Sequence, residues 1–91
     1  MSYKILLHRR VVKFLKRLDE STRSRVLDSL RELDKFPNVR LDIVKIAGEK
    51  NIYRIRIGDL RILMKVYDVE KIIVIVKIDR RKRSYRGLRH L

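Results

Sequence analysis

The chain has no cysteine and no tryptophan, and its 91 residues include only one proline, three glycines and two histidines. The lack of cysteine excludes a disulfide framework, a thiolate metal site and a cysteine nucleophile. No apolar run approaches the length of a membrane-spanning helix, and no hydrophobic segment at the start resembles a signal peptide. We therefore expect a single domain over residues 1–91 that lies in the cytoplasm and has no membrane partner.

Acidic residues are scarce: eleven Asp and Glu stand against 25 Lys and Arg, which gives a net charge of +14. Such an excess repels itself in a folded chain and is typical of proteins that bind a polyanion or an acidic protein. A surface adapted to high temperature is an alternative, but that adaptation normally enriches both signs of charge. Since 45% of the residues are hydrophobic, the chain has enough apolar material to fold.

Two amphipathic helices are predicted in the N-terminal part. Apolar residues recur at helical spacing over residues 9–20, and a second helix can be capped by Asp19 or Ser21. This second helix should end near Phe36, because Pro37 disfavours the helical conformation of the residue before it.

Strands are predicted at residues 3–8, 52–57, 60–67 and 71–78. In residues 52–57 apolar and basic side chains alternate, whereas residues 71–78 are apolar on both faces, as in a central strand. Together with the helices, this order predicts an α+β fold in which two N-terminal helices pack on one face of a twisted antiparallel β-sheet.

A tight hairpin places two arginines opposite each other. Residues 58–59, Gly-Asp, predict a two-residue type II′ turn, so that Ile57 faces Leu60 and Arg56 faces Arg61. Like charges directly opposite each other destabilise a strand pair. We therefore expect a phosphodiester to neutralise this pair, although basic side chains that simply extend into water are an alternative.

The next strand pair is expected to add a third cation. If residues 68–70 form a three-residue loop, Tyr67 pairs with Lys71 and Arg61 lies opposite Lys77. The C-terminal segment is also basic, and it includes an aromatic residue, Tyr85, which suits base stacking beside phosphate contacts.

Three segments resemble the RelE/ParE superfamily of toxins: "KIAG" at residues 45–48, "YRIRIGDLRILMKV" at 53–66 and "RRKRSYR" at 80–86. The second segment is more similar to the RelE branch than to the gyrase-directed branch. The resemblance implies a ribosome-dependent endoribonuclease that cleaves mRNA in the ribosomal A site without a metal or other cofactor. It also implies a RelB-like antitoxin as partner, acidic and partly disordered when free.

The resemblance also implies which residues act on RNA. The catalytic set that it implies is Arg54, Arg56, Arg61, Arg81 and Tyr85. Further RNA contacts are predicted for Lys45, Lys77, Arg80, Lys82, Arg83 and Arg86. The chain departs from the family at Leu60 and Met64, where aromatic residues are usual. Asp79-Arg80 stands where glycine and a polar residue are common. Some members have lysines where this chain has Arg54 and Arg56.

Acid–base residues are few. RNA cleavage by the neighbouring 2′-hydroxyl needs a base, a proton for the leaving oxygen and stabilisation of the extra negative charge. The weak candidates for proton transfer are His8, His90 and Glu49. Arginine stays protonated and stabilises charge, so the predicted site acts mainly through orientation and electrostatics, with Tyr85 to take or relay a proton.

Three other functions remain open on the sequence. The chain could be a non-enzymatic basic module that binds ribosomal RNA, a ParE-like inhibitor of a DNA topoisomerase, or an inactive toxin. Cleavage of mRNA separates the predicted nuclease from all three.

Overall fold

A computed structural model describes residues 2–80 as two helices and a five-stranded sheet. The elements are β1 (Lys4–Leu7), α1 (Arg9–Lys16), α2 (Glu20–Arg31), a 3₁₀ turn (Glu32–Lys35), β2 (Asp42–Lys45), β3 (Ile52–Ile57), β4 (Leu60–Tyr67) and β5 (Ile72–Arg80). The strand order across the sheet is β1-β5-β4-β3-β2. The predicted α+β class is confirmed.

The N-terminal strand gives the sheet a mixed character. β1 runs parallel to β5, with Lys4 opposite Ile72 and Leu7 opposite Ile75, whereas the other three strand pairs are antiparallel. The short apolar run at residues 3–8 predicted this strand but carries no information about its direction. The sheet is therefore antiparallel except at one edge.

Both helices begin at a side-chain cap. Nδ1 of His8 accepts a hydrogen bond from the backbone N–H of Arg10 at 3.1 Å, so this histidine caps α1 and does not belong to the first strand. The Asp19 carboxylate accepts a hydrogen bond from the N–H of Thr22 at 3.0 Å and caps α2. Of the two predicted caps, Asp19 and Ser21, the structure thus has Asp19. Neither helix is long and apolar enough to cross a membrane.

The Asp19 cap should make stability depend on pH. Hydrogen bonds from the Thr22 side chain and backbone lower the pKa of Asp19. A carboxyl group with a lowered pKa in the folded state stabilises the fold at neutral pH, and this contribution is lost as the pH falls through that pKa. We expect Asp19→Ala to lower the melting temperature at pH 7, with a difference from the wild type that shrinks in acid.

Asp19→Ser is the matched control, because its hydroxyl oxygen can cap the helix without titrating in acid. It should keep most of the stability at pH 7. Thermal unfolding followed by circular dichroism measures both variants. An equal deficit for Asp19→Ala at neutral and acidic pH would contradict the assigned cap.

The hydrophobic core lies between the helices and one face of the sheet, here called the helix face. The helices, the connection between them and the turn after them contribute Val11, Leu15, Leu18, Val26, Leu30 and Leu33. The sheet contributes Ile55, Ile57, Leu60, Ile62, Met64, Val66, Ile73, Ile75 and Ile78. No polar or charged side chain is buried within residues 2–80. The opposite side of the sheet, the open face, carries the basic residues that alternate with this core.

The β3–β4 hairpin has the predicted register. Ile57 faces Leu60 and Arg56 faces Arg61. Gly58 has φ +60°, and Asp59 is not in the left-handed region, which is the pattern of a type II′ turn. The turn therefore sets which side chains meet across the two strands.

The predicted β4–β5 register is wrong. Tyr67 pairs with Ile72, because Lys71 stays in the connecting turn with φ +60°. A β-bulge between the pairs Met64–Ile75 and Leu63–Lys77 shifts the rest of β5 by one more residue, which puts Asp79 opposite Arg61. Since β5 is apolar on both faces over most of its length, its sequence did not exclude this slip.

Candidate nucleic-acid interface

Four basic residues form a cluster on the open face of the sheet. Arg54 and Arg56 lie on β3, Arg61 lies on β4 and Lys77 lies on β5. On β3 and β4 these cations alternate with the core residues, so their position follows from the alternation that buries Ile55 and Ile62. We call these four residues the cationic cluster.

Two members of the cluster contact the carboxylate of Asp79, and a second acidic residue, Asp42, lies opposite Arg56 on β2. Nε of Arg61 donates to Oδ1 of Asp79 at 3.3 Å, and Nζ of Lys77 lies 3.9 Å from Oδ2. A shallow cavity of about 210 Å³ opens here, lined by Ile46, Arg54, Arg61, Leu63, Lys77 and Asp79. The sequence alone does not predict the contact of Asp79 with Arg61, because the expected register places Lys77 opposite Arg61.

Two guanidinium groups of the cluster have unused donors. Nε of Arg54 and Nε of Arg56 are shielded from solvent and have no hydrogen-bond partner within residues 2–80. A shielded donor without an acceptor costs free energy. Phosphate oxygens match the guanidinium group in charge and geometry, so a face that carries several arginines suits an RNA backbone.

Comparison with known proteins gives the family. The family described as "ParE toxin of type II toxin-antitoxin system, parDE" matches residues 5–85. The chain belongs to the RelE/ParE toxin superfamily. It is 33% identical to RelE1, a candidate toxin of Methanocaldococcus jannaschii, over 96% of this chain and 99% of the relative.

Solved structures agree with this assignment. The archaeal RelE–RelB complex of Pyrococcus horikoshii OT3 contains a chain with a TM-score of 0.79 and 32% identity, covering 91% of this chain and 99% of that one. The RelB–RelE complex of Methanococcus jannaschii has a TM-score of 0.72 and 32% identity, with coverages of 90% and 96%. The protein is a RelE-like toxin of a toxin–antitoxin system, with the fold that the resemblance implied.

Two predicted RNA contacts of the toxin lie away from the cationic cluster. Lys45 pairs with Tyr53 and therefore faces the helix side, where it lines a cavity beside Phe36 and Asp68. Arg80 pairs with Leu60 on the same side. Directly paired residues share a face of the sheet, and this rule separates both residues from the cluster.

Arg80 has a partner of its own. Its Nη1 lies 3.3 Å from Oδ2 of Asp59 in the hairpin turn, and its charge contributes to the lowered pKa of Asp19. It therefore faces the start of α2.

Other predicted residues are placed differently or not at all. Glu49 is exposed in the turn between β2 and β3. Arg81, Lys82, Arg83, Tyr85, Arg86 and His90 lie outside the described residues. Within residues 2–80, no three side chains of the types that bind metals gather into one group. Of the predicted catalytic set, the structure thus brings Arg54, Arg56 and Arg61 together.

Proposed function

We propose that the toxin is a ribosome-dependent endoribonuclease that cleaves mRNA in the ribosomal A site. The observation that carries this proposal is the convergence of Arg54, Arg56 and Arg61 on one face, where Nε of Arg54 and Nε of Arg56 have no acceptor within residues 2–80. The similarity to RelE toxins at more than 30% identity supports it. The proposed reaction needs no metal and takes place in the cytoplasm, where ribosomes translate mRNA.

In the proposed reaction the RNA supplies its own nucleophile. The 2′-oxygen attacks the adjacent phosphorus and loses its proton, while the 5′-oxygen leaves and gains one, which gives a 2′,3′-cyclic phosphate. Negative charge builds up on the phosphorane oxygens in the transition state, and the cationic cluster would stabilise that charge. Arginine remains protonated at physiological pH, so proton transfer falls to another group, for which we propose Tyr85.

The chemistry of this face explains why a ribosome would be required. Of the two histidines, His8 caps α1, and the four residues of the cationic cluster supply charge but no ready base. A site that works through charge and orientation depends on an exact presentation of its substrate. The decoding site could hold the mRNA backbone in such a geometry, whereas free RNA would rarely adopt it.

We further propose that a RelB-like antitoxin, acidic in its binding segment, neutralises the toxin. The similar structures from P. horikoshii and M. jannaschii are complexes of RelE with RelB. A partner of opposite charge would offset the self-repulsion of a +14 chain and speed association.

The decisive experiment is single-turnover cleavage on purified ribosomes that carry a defined mRNA codon in the A site. We expect cleavage at this codon and much slower cleavage of the same RNA without ribosomes. Primer extension locates the cut, and a cyclic phosphate at the 3′ end identifies the reaction. Ribosome binding without any cleavage would indicate a non-enzymatic module, and loss of topoisomerase activity without an effect on mRNA would indicate a ParE-like function.

A further inference from the structure

The carboxylate of Asp79 contacts two members of the cationic cluster, Arg61 and Lys77, and this position is unexpected for a site that binds phosphate. Asp79 is the one acidic residue among those that line the 210 Å³ cavity. We propose that Asp79 is a positioning residue, which holds Arg61 so that the terminal nitrogens of its guanidinium group meet the scissile phosphate. This inference deepens the proposed nuclease function and depends on it.

The contact leaves the useful donors of Arg61 free. An arginine side chain has one N–H on Nε and four on its terminal nitrogens. Asp79 engages Nε at 3.3 Å, and within residues 2–80 Arg61 has no other side-chain hydrogen bond. The two terminal nitrogens thus remain available for two phosphate oxygens.

The β-bulge in β5 is what presents Asp79 to Arg61. Ile75 faces the core, so an unbroken strand would turn Lys77 and Asp79 to the same side as Ile75. Val76 is the extra residue between the two flanking pairs, and after it Ile78 faces the core. Lys77 and Asp79 then face the cluster. Bulges often re-aim side chains next to active sites.

A purely structural ion pair is a poor explanation for this arrangement. The side chains of Arg61 and Asp79 are 39% and 35% exposed, and pairs with this degree of exposure add little to stability. A carboxylate at this place also repels RNA phosphates, so it opposes substrate binding. A fixed position of the Arg61 guanidinium group would compensate for this repulsion, because donors that are already in place need no rearrangement in the transition state.

The test compares cleavage and binding for Asp79→Ala and Asp79→Asn on programmed ribosomes. We expect Asp79→Ala to slow single-turnover cleavage by about 10- to 100-fold, the cost of a misplaced catalytic group. Ribosome affinity should stay equal or rise, because a negative charge is lost. Asp79→Asn should recover most of the rate, since its amide oxygen can still accept from Nε of Arg61.

A double-mutant cycle with Arg61 tests how Asp79 acts. If Asp79 works through Arg61, then Arg61→Ala and the double variant Arg61→Ala/Asp79→Ala should cleave at the same slow rate. Multiplied effects in the double variant would refute positioning through Arg61. So would a parallel loss of rate, affinity and melting temperature that Asp79→Asn fails to rescue.

The same cycle separates this inference from the proposed function. A wild-type rate for Asp79→Ala beside a slow Arg61→Ala would refute the positioning role and leave the nuclease site in place. A wild-type rate for Arg61→Ala would refute the site itself, and the role of Asp79 with it.

Discussion

Replacing Ile55 by alanine should lower the free energy of unfolding by about 2–5 kcal/mol. Ile55 is fully buried and lies in the middle of the helix face, between Ile43 on β2 and Ile62 on β4. Truncation removes apolar contacts and leaves a cavity that the surrounding side chains fill only in part. Urea unfolding followed by circular dichroism measures the change.

Its neighbour on the same strand is the matched control. Arg56 points to the open face, where it lies between Arg61 on β4 and Asp42 on β2 and where its Nε lacks an acceptor within residues 2–80. Arg56→Gln keeps most of the aliphatic chain and removes the charge, so stability should stay the same or rise slightly. If Arg56→Gln destabilised the toxin more than Ile55→Ala, the assignment of the two faces would be wrong.

The β3–β4 hairpin was predictable because its two-residue turn determines the pairing of all residues in the two strands. Once residues 58–59 form a two-residue turn, each residue of one strand has a single possible partner on the other. Alternation then assigns Ile55 and Arg56 to opposite faces without further information. The placement of Arg54, Arg56 and Arg61 on one face of the sheet was therefore predictable from the sequence.

The rest of the sheet could not be predicted in the same way. The run Ile72–Val76 is apolar at every position, so it fits either register and gives no sign of the bulge. The strand β1 has apolar residues that suit either direction. The contact between Arg61 and Asp79 could therefore not be predicted, because the residue opposite Arg61 is Asp79 and not the expected Lys77.

Residues chosen by charge alone proved less informative than residues chosen by register. Lys45 and Arg80 are basic and are the first residues of two segments that resemble the toxin superfamily, yet both fall on the helix side of the sheet. An excess of positive charge predicts a polyanion as partner, but only strand pairing and alternation predict which face of the sheet that partner would contact.

Arg61→Ala should reduce single-turnover cleavage of A-site mRNA by roughly 100-fold or more, as expected for the loss of one donor that stabilises transition-state charge. Arg61 is central to the cluster, because it faces Arg56 across one strand pair and Asp79 across the other. Ribosome binding should fall far less, since many other basic residues of the chain remain to contact RNA. The change would therefore appear mainly in the rate of the chemical step.

Arg31→Ala controls for the loss of charge itself. Arg31 lies at the end of α2, and its side chain is 74% exposed and pairs with Asp28. Its replacement removes one positive charge from a helix and leaves the four residues of the cationic cluster unchanged. Cleavage at a nearly normal rate by Arg31→Ala, beside a slow Arg61→Ala, would locate the effect on the open face.

Arg81→Ala should slow cleavage as much as Arg61→Ala if Arg81 completes the site. Tyr85→Phe should also slow cleavage if the phenol transfers a proton. If Arg61→Ala and Arg81→Ala both cleaved at the wild-type rate, the phosphate would be bound elsewhere. The removal of a cation that stabilises the transition state must slow the reaction.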